Sequence, residues 1–318
     1  MKKIKINSIS QLNYIILILV MIFSCSSEKN SERVDIPVEN NGCFHTTKDG
    51  LKIYIYEYQP IEDYNSVIFL ISGITGINHT LEKETIEQLS NNENKVIVIH
   101  PRGTGYSEGK RGDISDFSYF ISDYIEIITN NKDYYDKSKK IILFGHSMST
   151  AILLAVADKL DDISGVILVN PPYILKNAKG MSPNLSQYIK FIWYYLFDKH
   201  TPVVNMAGDP ALIENEDDRK ESELRYNDRL LVKYFSMYMM IESKKIMDSM
   251  ILYSKKANYP LLLIYGEKDS IVDKKGCDLI FDSWKSEKKE YILIPNGTHG
   301  SSTVIKSKEA IINWINNL

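Results

Sequence analysis

Six short apolar runs constrain the fold of this chain more than any other feature. They are Val67–Ile71, Val96–Ile99, Ile141–Phe144, Val166–Val169, Leu261–Tyr265 and Tyr291–Ile294. None of them alternates clearly between apolar and polar residues. A strand that is apolar throughout has both faces buried, as in a parallel sheet covered by helices on either side. Helical patterns fall between and after the runs, at Leu81–Leu89, Phe117–Ile128, Ser149–Leu160, Cys277–Trp284 and Glu309–Leu318. Strand and helix alternate, so the class is α/β with a mostly parallel central sheet flanked by helices. Ahead of the first run, Leu51–Tyr58 is β-rich and follows the turn signal Lys48-Asp49-Gly50, which predicts an edge hairpin strand.

One region breaks the alternation. From Pro171 to about Asn258 no convincing strand is visible. Tyr188, Ile189, Ile192, Trp193 and Leu196 share one face of a predicted helix. Residues 209–225 are charged and read as loop plus helix, and Leu230–Met250 is rich in Met and aromatics. The pattern predicts a helical cap, at about 172–258, inserted between two strands of the sheet. Its aromatic and Met side chains are expected mostly to pack within the cap and against the main domain. The alternative is that some of them line an apolar pocket between the two layers.

The N-terminus reads as a targeting segment. Lys2, Lys3 and Lys5 precede an unbroken apolar run from Tyr14 to Phe23. That run is short of the roughly 20 residues a membrane span needs, and fits the core of a secretory signal. Ile22-Phe23-Ser24-Cys25 then resembles the lipobox of bacterial lipoproteins, with Phe23 departing from the usual small or aliphatic residue. On this reading 1–24 is the signal, Cys25 is the lipidated first residue, 25–42 is a polar tether, and 43–318 is the folded domain. The protein is then exported and held on a membrane surface in the cell envelope through its acyl chains, about 0.8 kcal/mol per buried methylene. Cleavage by an ordinary signal peptidase, giving a secreted or periplasmic protein, and an uncleaved anchor are the alternatives.

Formal charge is −3 over 318 residues, and no basic stripe is present, which argues against nucleic acid as a partner. Cys43 and Cys277 are expected to be unpaired, and no Cys/His cluster has metal-ligand spacing.

Chemistry is suggested by Phe144-Gly145-His146-Ser147-Met148-Ser149, which joins an apolar run to a helix-prone one. This is close to a G-x-S-x-G nucleophile elbow, with Ser149 in place of the last glycine. The competing reading is an ordinary strand-to-helix turn that contains a serine. A serine hydroxyl becomes a nucleophile only when a base takes its proton, and the base is usually a histidine oriented by a carboxylate. Both partners follow late strands here. Gly266-Glu267-Lys268-Asp269 comes after one, and Pro295-Asn296-Gly297-Thr298-His299-Gly300 after the next. Ser147, Asp269 and His299 are therefore the candidate triad, with Glu267 and Asp273 as rivals for the acid. The oxyanion needs two backbone N–H donors. Met148, after the nucleophile, supplies one, and Ile74 in Ser72-Gly73-Ile74-Thr75-Gly76 the other.

Together these motifs resemble those of monoacylglycerol lipase and lysophospholipase-like serine hydrolases of the α/β-hydrolase superfamily. Besides the elbow, His100-Pro101-Arg102-Gly103-Thr104-Gly105-Tyr106-Ser107 is similar to that family's D-x-R-G-x-G-x-S segment. Asp113–Phe117 followed by Asp123 matches the start of its next helix, and Gly266-x-x-Asp269-x-Ile271-Val272 matches its acid loop. The resemblance spans about residues 45–318 and weakens through the cap. Ser72-Gly73 stands where the family usually has His-Gly, whose side chain commonly braces the loop, and His100 stands where Asp is usual. Arg102 is expected to anchor its own loop rather than take part in chemistry.

The resemblance implies an α/β-hydrolase fold and a cofactor-free esterase acting on a small acyl ester, such as a monoacylglycerol or lysophospholipid. A prolyl iminopeptidase-type aminopeptidase shares the fold. The chain lacks that group's glycine-proline-rich oxyanion loop and tryptophan-containing elbow. A non-catalytic binding protein on the same fold is the third reading, opposed by a complete triad in the expected order.

Overall fold

The structure is a computed structural model that describes residues 42–58, 64–76, 79–90, 93–130, 139–176, 185–207, 210 and 216–318. The segment read as a signal, Cys25 and nearly all of the expected tether lie outside these residues. The described residues hold ten strands: β1 (Cys43–Thr46), β2 (Lys52–Tyr58), β3 (Ser66–Ile71), β4 (Asn94–Ile99), β5 (Lys140–His146), β6 (Gly165–Val169), β7 (Pro202–Asn205), β8 (Tyr234–Ser236), β9 (Leu261–Gly266) and β10 (Lys289–Ile294). The helices are α1 (His79–Ser90), α2 (Ser118–Asn130), α3 (Ser149–Ala157), α4 (Leu185–Phe197), α5 (Glu216–Asn227), α6 (Met237–Asp248), α7 (Met250–Ser254), α8 (Lys274–Ser283) and α9 (Ser301–Asn316).

Eight strands form one sheet in the order β1-β2-β4-β3-β5-β6-β9-β10. From β4 to β10 every pairing is parallel, while β2 pairs antiparallel with both β1 and β4. The expected strand at 51–58 is therefore real but not the edge. β1, whose residues are mostly exposed, takes that position.

The continuous apolar runs do what their pattern requires. All six residues of β3 and of β9 are buried. Val67, Phe69 and Ile71 face one core with α2 and α3, whereas Ile68 and Leu70 face the other with α1 and α9. α3 lies wholly inside, with all nine residues buried. Each large apolar side chain so buried is worth about 1.5–3 kcal/mol.

The cap departs from the sequence reading in two ways. It is not purely helical, because β7 and β8 form a two-stranded antiparallel sheet. Strands of four and three residues leave too little pattern to detect. Its packing is also looser than expected on one helix. On α4 only Tyr194 is buried, while Tyr188, Ile189, Ile192 and Leu196 are exposed. Phe235, Met239, Met247 and Met250 do join the main core.

Register aligns the carboxyl ends of the central strands. Ile71 pairs with Gly145, His146 with Val169, Val169 with Ile264, and Ile264 with Ile292. The loops after β3, β5, β6, β9 and β10 therefore open side by side. β3 sends its chain one way to β4, and β5 sends its chain the other way to β6. Crevices at such reversal points are where open α/β sheets bind ligands.

Candidate active site

Ser147 follows β5 directly and has a left-handed backbone, φ 54°. A non-glycine residue in that region costs of order 1–3 kcal/mol and persists only when its surroundings over-determine it. Here its N–H donates to Val169 O (2.9 Å), and its carbonyl accepts from the Thr150 N–H (3.0 Å) and Thr150 Oγ1 (2.6 Å). The turn is tight enough that a Cβ on Gly145 would come within 3.1 Å of Leu153 Cδ1 and Ser149 Oγ. Ser149, the departure from the usual glycine, is used: its Oγ accepts from the His146 N–H (2.7 Å) and donates to the His146 carbonyl (2.8 Å).

The three residues expected to act together do meet. Ser147 Oγ lies 2.8 Å from His299 Nε2, and His299 Nδ1 lies 2.8 Å from Asp269 Oδ2. The other oxygen of Asp269 accepts from the Ile271 and Val272 N–H groups at 2.8 and 2.7 Å. The rival acids have other partners. Glu267 accepts from the Asn296 N–H (3.1 Å), and Asp273 caps α8 through the Lys275 N–H (3.0 Å). Burial is the largest influence on Asp269 and pushes its pKa up. The hydrogen bond and charge of His299, with the two backbone donors, outweigh it and hold the carboxyl below its ordinary range.

Met148 is the N-cap of α3, and Ile74 sits in the loop after β3. Among the described residues the backbone N–H of neither has an acceptor in the protein. A Cβ on Gly73 would lie 3.5 Å from the Ser149 nitrogen, so the two loops are in contact. Both border a cavity of about 400 Å³ that also reaches Ser147 and His299, with Met206, Tyr226, Leu231 and Val232 from the cap on its far side. Among the described residues no group of three or more His, Cys, Asp or Glu is placed to hold a metal ion. No described helix is long and apolar enough to cross a membrane. Cys43 is exposed and Cys277 buried, and no disulfide joins them.

Three bracing residues escaped the sequence reading. His146 Nε2 lies 2.6 Å from the carbonyl of His299. Asn170, fully buried after β6, donates to Thr298 O (3.2 Å) and His299 O (3.4 Å) and accepts from the Gly266 N–H (2.8 Å). It ties the ends of three strands together. A polar residue directly after an apolar run, in Val169-Asn170-Pro171, was the available signal. The third is Tyr124, whose hydroxyl reaches the loop after β3.

Arg102 is an anchor, as expected. It forms a two-pronged pair with Asp123, 2.6 Å at both contacts, and reaches Asp49 at 3.0 Å. His100 accepts the Tyr106 N–H at its Nδ1 (3.1 Å) and packs so closely on Gly105 that a Cβ there would clash.

Known proteins agree with this architecture. The chain is 26% identical over 259 residues to monoglyceride lipase of Rattus norvegicus, covering 79% of this chain and 80% of the rat protein. A soluble variant of Saccharomyces cerevisiae monoglyceride lipase, solved with a substrate analogue, superposes with a TM-score of 0.73 at 18% identity. That match covers 90% of this chain and 99% of the yeast one. The monoacylglycerol lipase of Paleococcus ferrophilus gives 0.66 at 19% identity, covering 83% and 98%. These likenesses establish an α/β-hydrolase fold. Residues 63–302, from the approach to β3 to the start of α9, match the profile described as serine aminopeptidase, S33. The match takes in the elbow, both late loops and the whole cap, and the chain belongs to that family of α/β hydrolases.

Proposed function

We propose that the protein is an ester-hydrolysing serine hydrolase that cleaves monoacylglycerols or similar single-chain acyl esters. One observation carries the reading: the unbroken relay from Ser147 Oγ through His299 to buried Asp269, opening on a cavity to which the cap contributes Met206, Leu231 and Val232 beside Arg225 and Lys233. Ser147 attacks the ester carbonyl while His299 Nε2 takes its proton. Asp269 holds the Nδ1–H tautomer and stabilises the imidazolium. The N–H groups of Ile74 and Met148 receive the developing oxyanion. His299 returns the proton to the leaving alcohol, and water, deprotonated by the same histidine, then releases the acid. The rat, yeast and Paleococcus relatives bear lipase names, which favours an ester over the peptide bond in the family's description.

The same reading places the enzyme at a membrane surface, exported and held by acyl chains on Cys25. Its support is the basic, apolar and Ile22–Cys25 pattern of the N-terminus.

Ser147→Ala is expected to abolish both hydrolysis of p-nitrophenyl esters and labelling by a fluorophosphonate. A panel of monoacylglycerols, lysophospholipids and aminoacyl-naphthylamides run beside it assigns the leaving group. Full activity in the alanine variant would refute the nucleophile, and preference for the naphthylamides would refute the ester reading.

A further inference from the structure

Tyr124 sits on the apolar face of α2 among Phe120, Ile127 and Ile128 and is 1% exposed. A leucine would fill such a position without needing a partner for a buried hydroxyl. The Tyr124 hydroxyl makes two hydrogen bonds, both to one residue. It accepts the Ser72 N–H at 3.0 Å and donates to the Ser72 carbonyl at 3.0 Å. The Ser72 side chain points elsewhere, with Oγ 3.3 Å from Ile99 O. Burial holds the phenol well above its ordinary pKa, so it keeps the proton that it donates.

We propose that Tyr124 is the positioning residue of the oxyanion loop, bracing it from α2. The proposal rests on the reading of Ile74 N–H as an oxyanion donor. Peptide groups are planar, so fixing a carbonyl fixes the N–H of the same unit. Tyr124 fixes the two units on either side of the Ser72 α-carbon. The next unit carries the Gly73 carbonyl and the Ile74 N–H, and the Gly76 N–H holds that carbonyl at 3.1 Å. Between the tyrosine and the donor only the two torsions of Gly73 are left to vary. Without the hydroxyl, the Ser72 N–H and carbonyl lose their shared partner, and the glycine lets the loop turn away. Tyr124 is itself held, because Asp123 beside it is locked to Arg102 at 2.6 Å.

The test is Tyr124→Phe in the full chain, which keeps the ring and removes the hydroxyl. Loss of an oxyanion donor outright costs 10²–10³ in kcat, so a misaimed donor is expected to cost about 10- to 100-fold. KM for p-nitrophenyl butyrate should stay within about twofold, since the ground state makes little use of the hole. Affinity for an alkylboronic acid, which forms a tetrahedral adduct on the serine, should fall by the factor seen in kcat. Rates are normalised to sites titrated to completion with a fluorophosphonate, so a partly folded preparation still gives a valid comparison. An unchanged kcat per titrated site with only a lower melting temperature would reduce Tyr124 to a packing residue and overturn the proposal. A wild-type protein that hydrolyses no ester would instead overturn the functional reading itself.

Discussion

Asp269 is 1% exposed, yet its carboxyl is held in the charged form. Burial alone would raise its pKa. His299 and the N–H groups of Ile271 and Val272 reverse the balance. Asp269→Asn keeps an acceptor for those two donors but presents either an amide or a neutral oxygen to His299. On the proposed mechanism kcat should fall by about 10⁴ with KM little changed, measured with a soluble ester. The lowered pKa also sets a sign. The folded state binds this proton less readily than the unfolded chain, so the aspartate's stabilising contribution is complete well above about pH 4 and fades as pH falls through the lowered value. Urea unfolding of both proteins should therefore show a gap that narrows as pH falls below about 4. A gap that widened below pH 4 would contradict the assignment. At this scale the meeting of Ser147, Asp269 and His299 was legible, because each follows its own apolar run at a residue type the proposed chemistry demands. Asn170, His146 and Tyr124 were not. They act on backbone carbonyls and N–H groups, which every residue has and no side-chain pattern records.

The segment between β4 and α2, legible as a motif, turns out to be the seat of the cap. Arg111 donates to the carbonyls of Arg229 (2.9 Å), Leu230 (3.1 Å) and Leu231 (3.1 Å). The Gly105 N–H donates to Leu230 O, and the Ser236 N–H to Gly112 O. Asp113 pairs with His200 at 3.1 Å, and Lys110 reaches the His200 carbonyl. Arg111→Ala takes a donor from the Arg229 and Leu231 carbonyls, at about 1–3 kcal/mol for each that stays dry, while Leu230 O keeps the Gly105 N–H. Cleavage by trypsin within the cap should quicken, and KM for long-chain esters should rise several-fold while short esters are little affected. Equal proteolysis of the two proteins would remove Arg111 from this role. The insertion read at about 172–258 falls between β6 and β9, and part of its apolar surface is exposed. Helical spacing on α4 identified an apolar face without saying what covers it, and Tyr188, Ile192 and Leu196 are exposed. Periodicity reports the shape of an element, whereas burial depends on neighbours that only the tertiary fold supplies.

For the whole molecule, the alternation of runs and helices was enough to read the class and most of the sheet. Strand order was not, since it depends on which way each crossover turns. The anchoring proposal also belongs at this scale. Cells given a radioactive fatty acid are expected to incorporate label into the wild-type protein and none into Cys25→Ala, which should leave the membrane fraction. Label that survived the substitution would sink the proposal. The distribution of the triad along the chain has a further consequence for synthesis. Ser147 and His299 are 152 residues apart and hang from strands that join the sheet at different times. A ribosome releases the nucleophile and its turn long before the base exists, and β9 and β10 can dock only after the cap has been made. On the proposed mechanism, a growing or prematurely ended chain thus carries Ser147 without the base assigned to it. By the same mechanism, hydrolysis becomes possible only once β10 and the loop that carries His299 have joined the sheet.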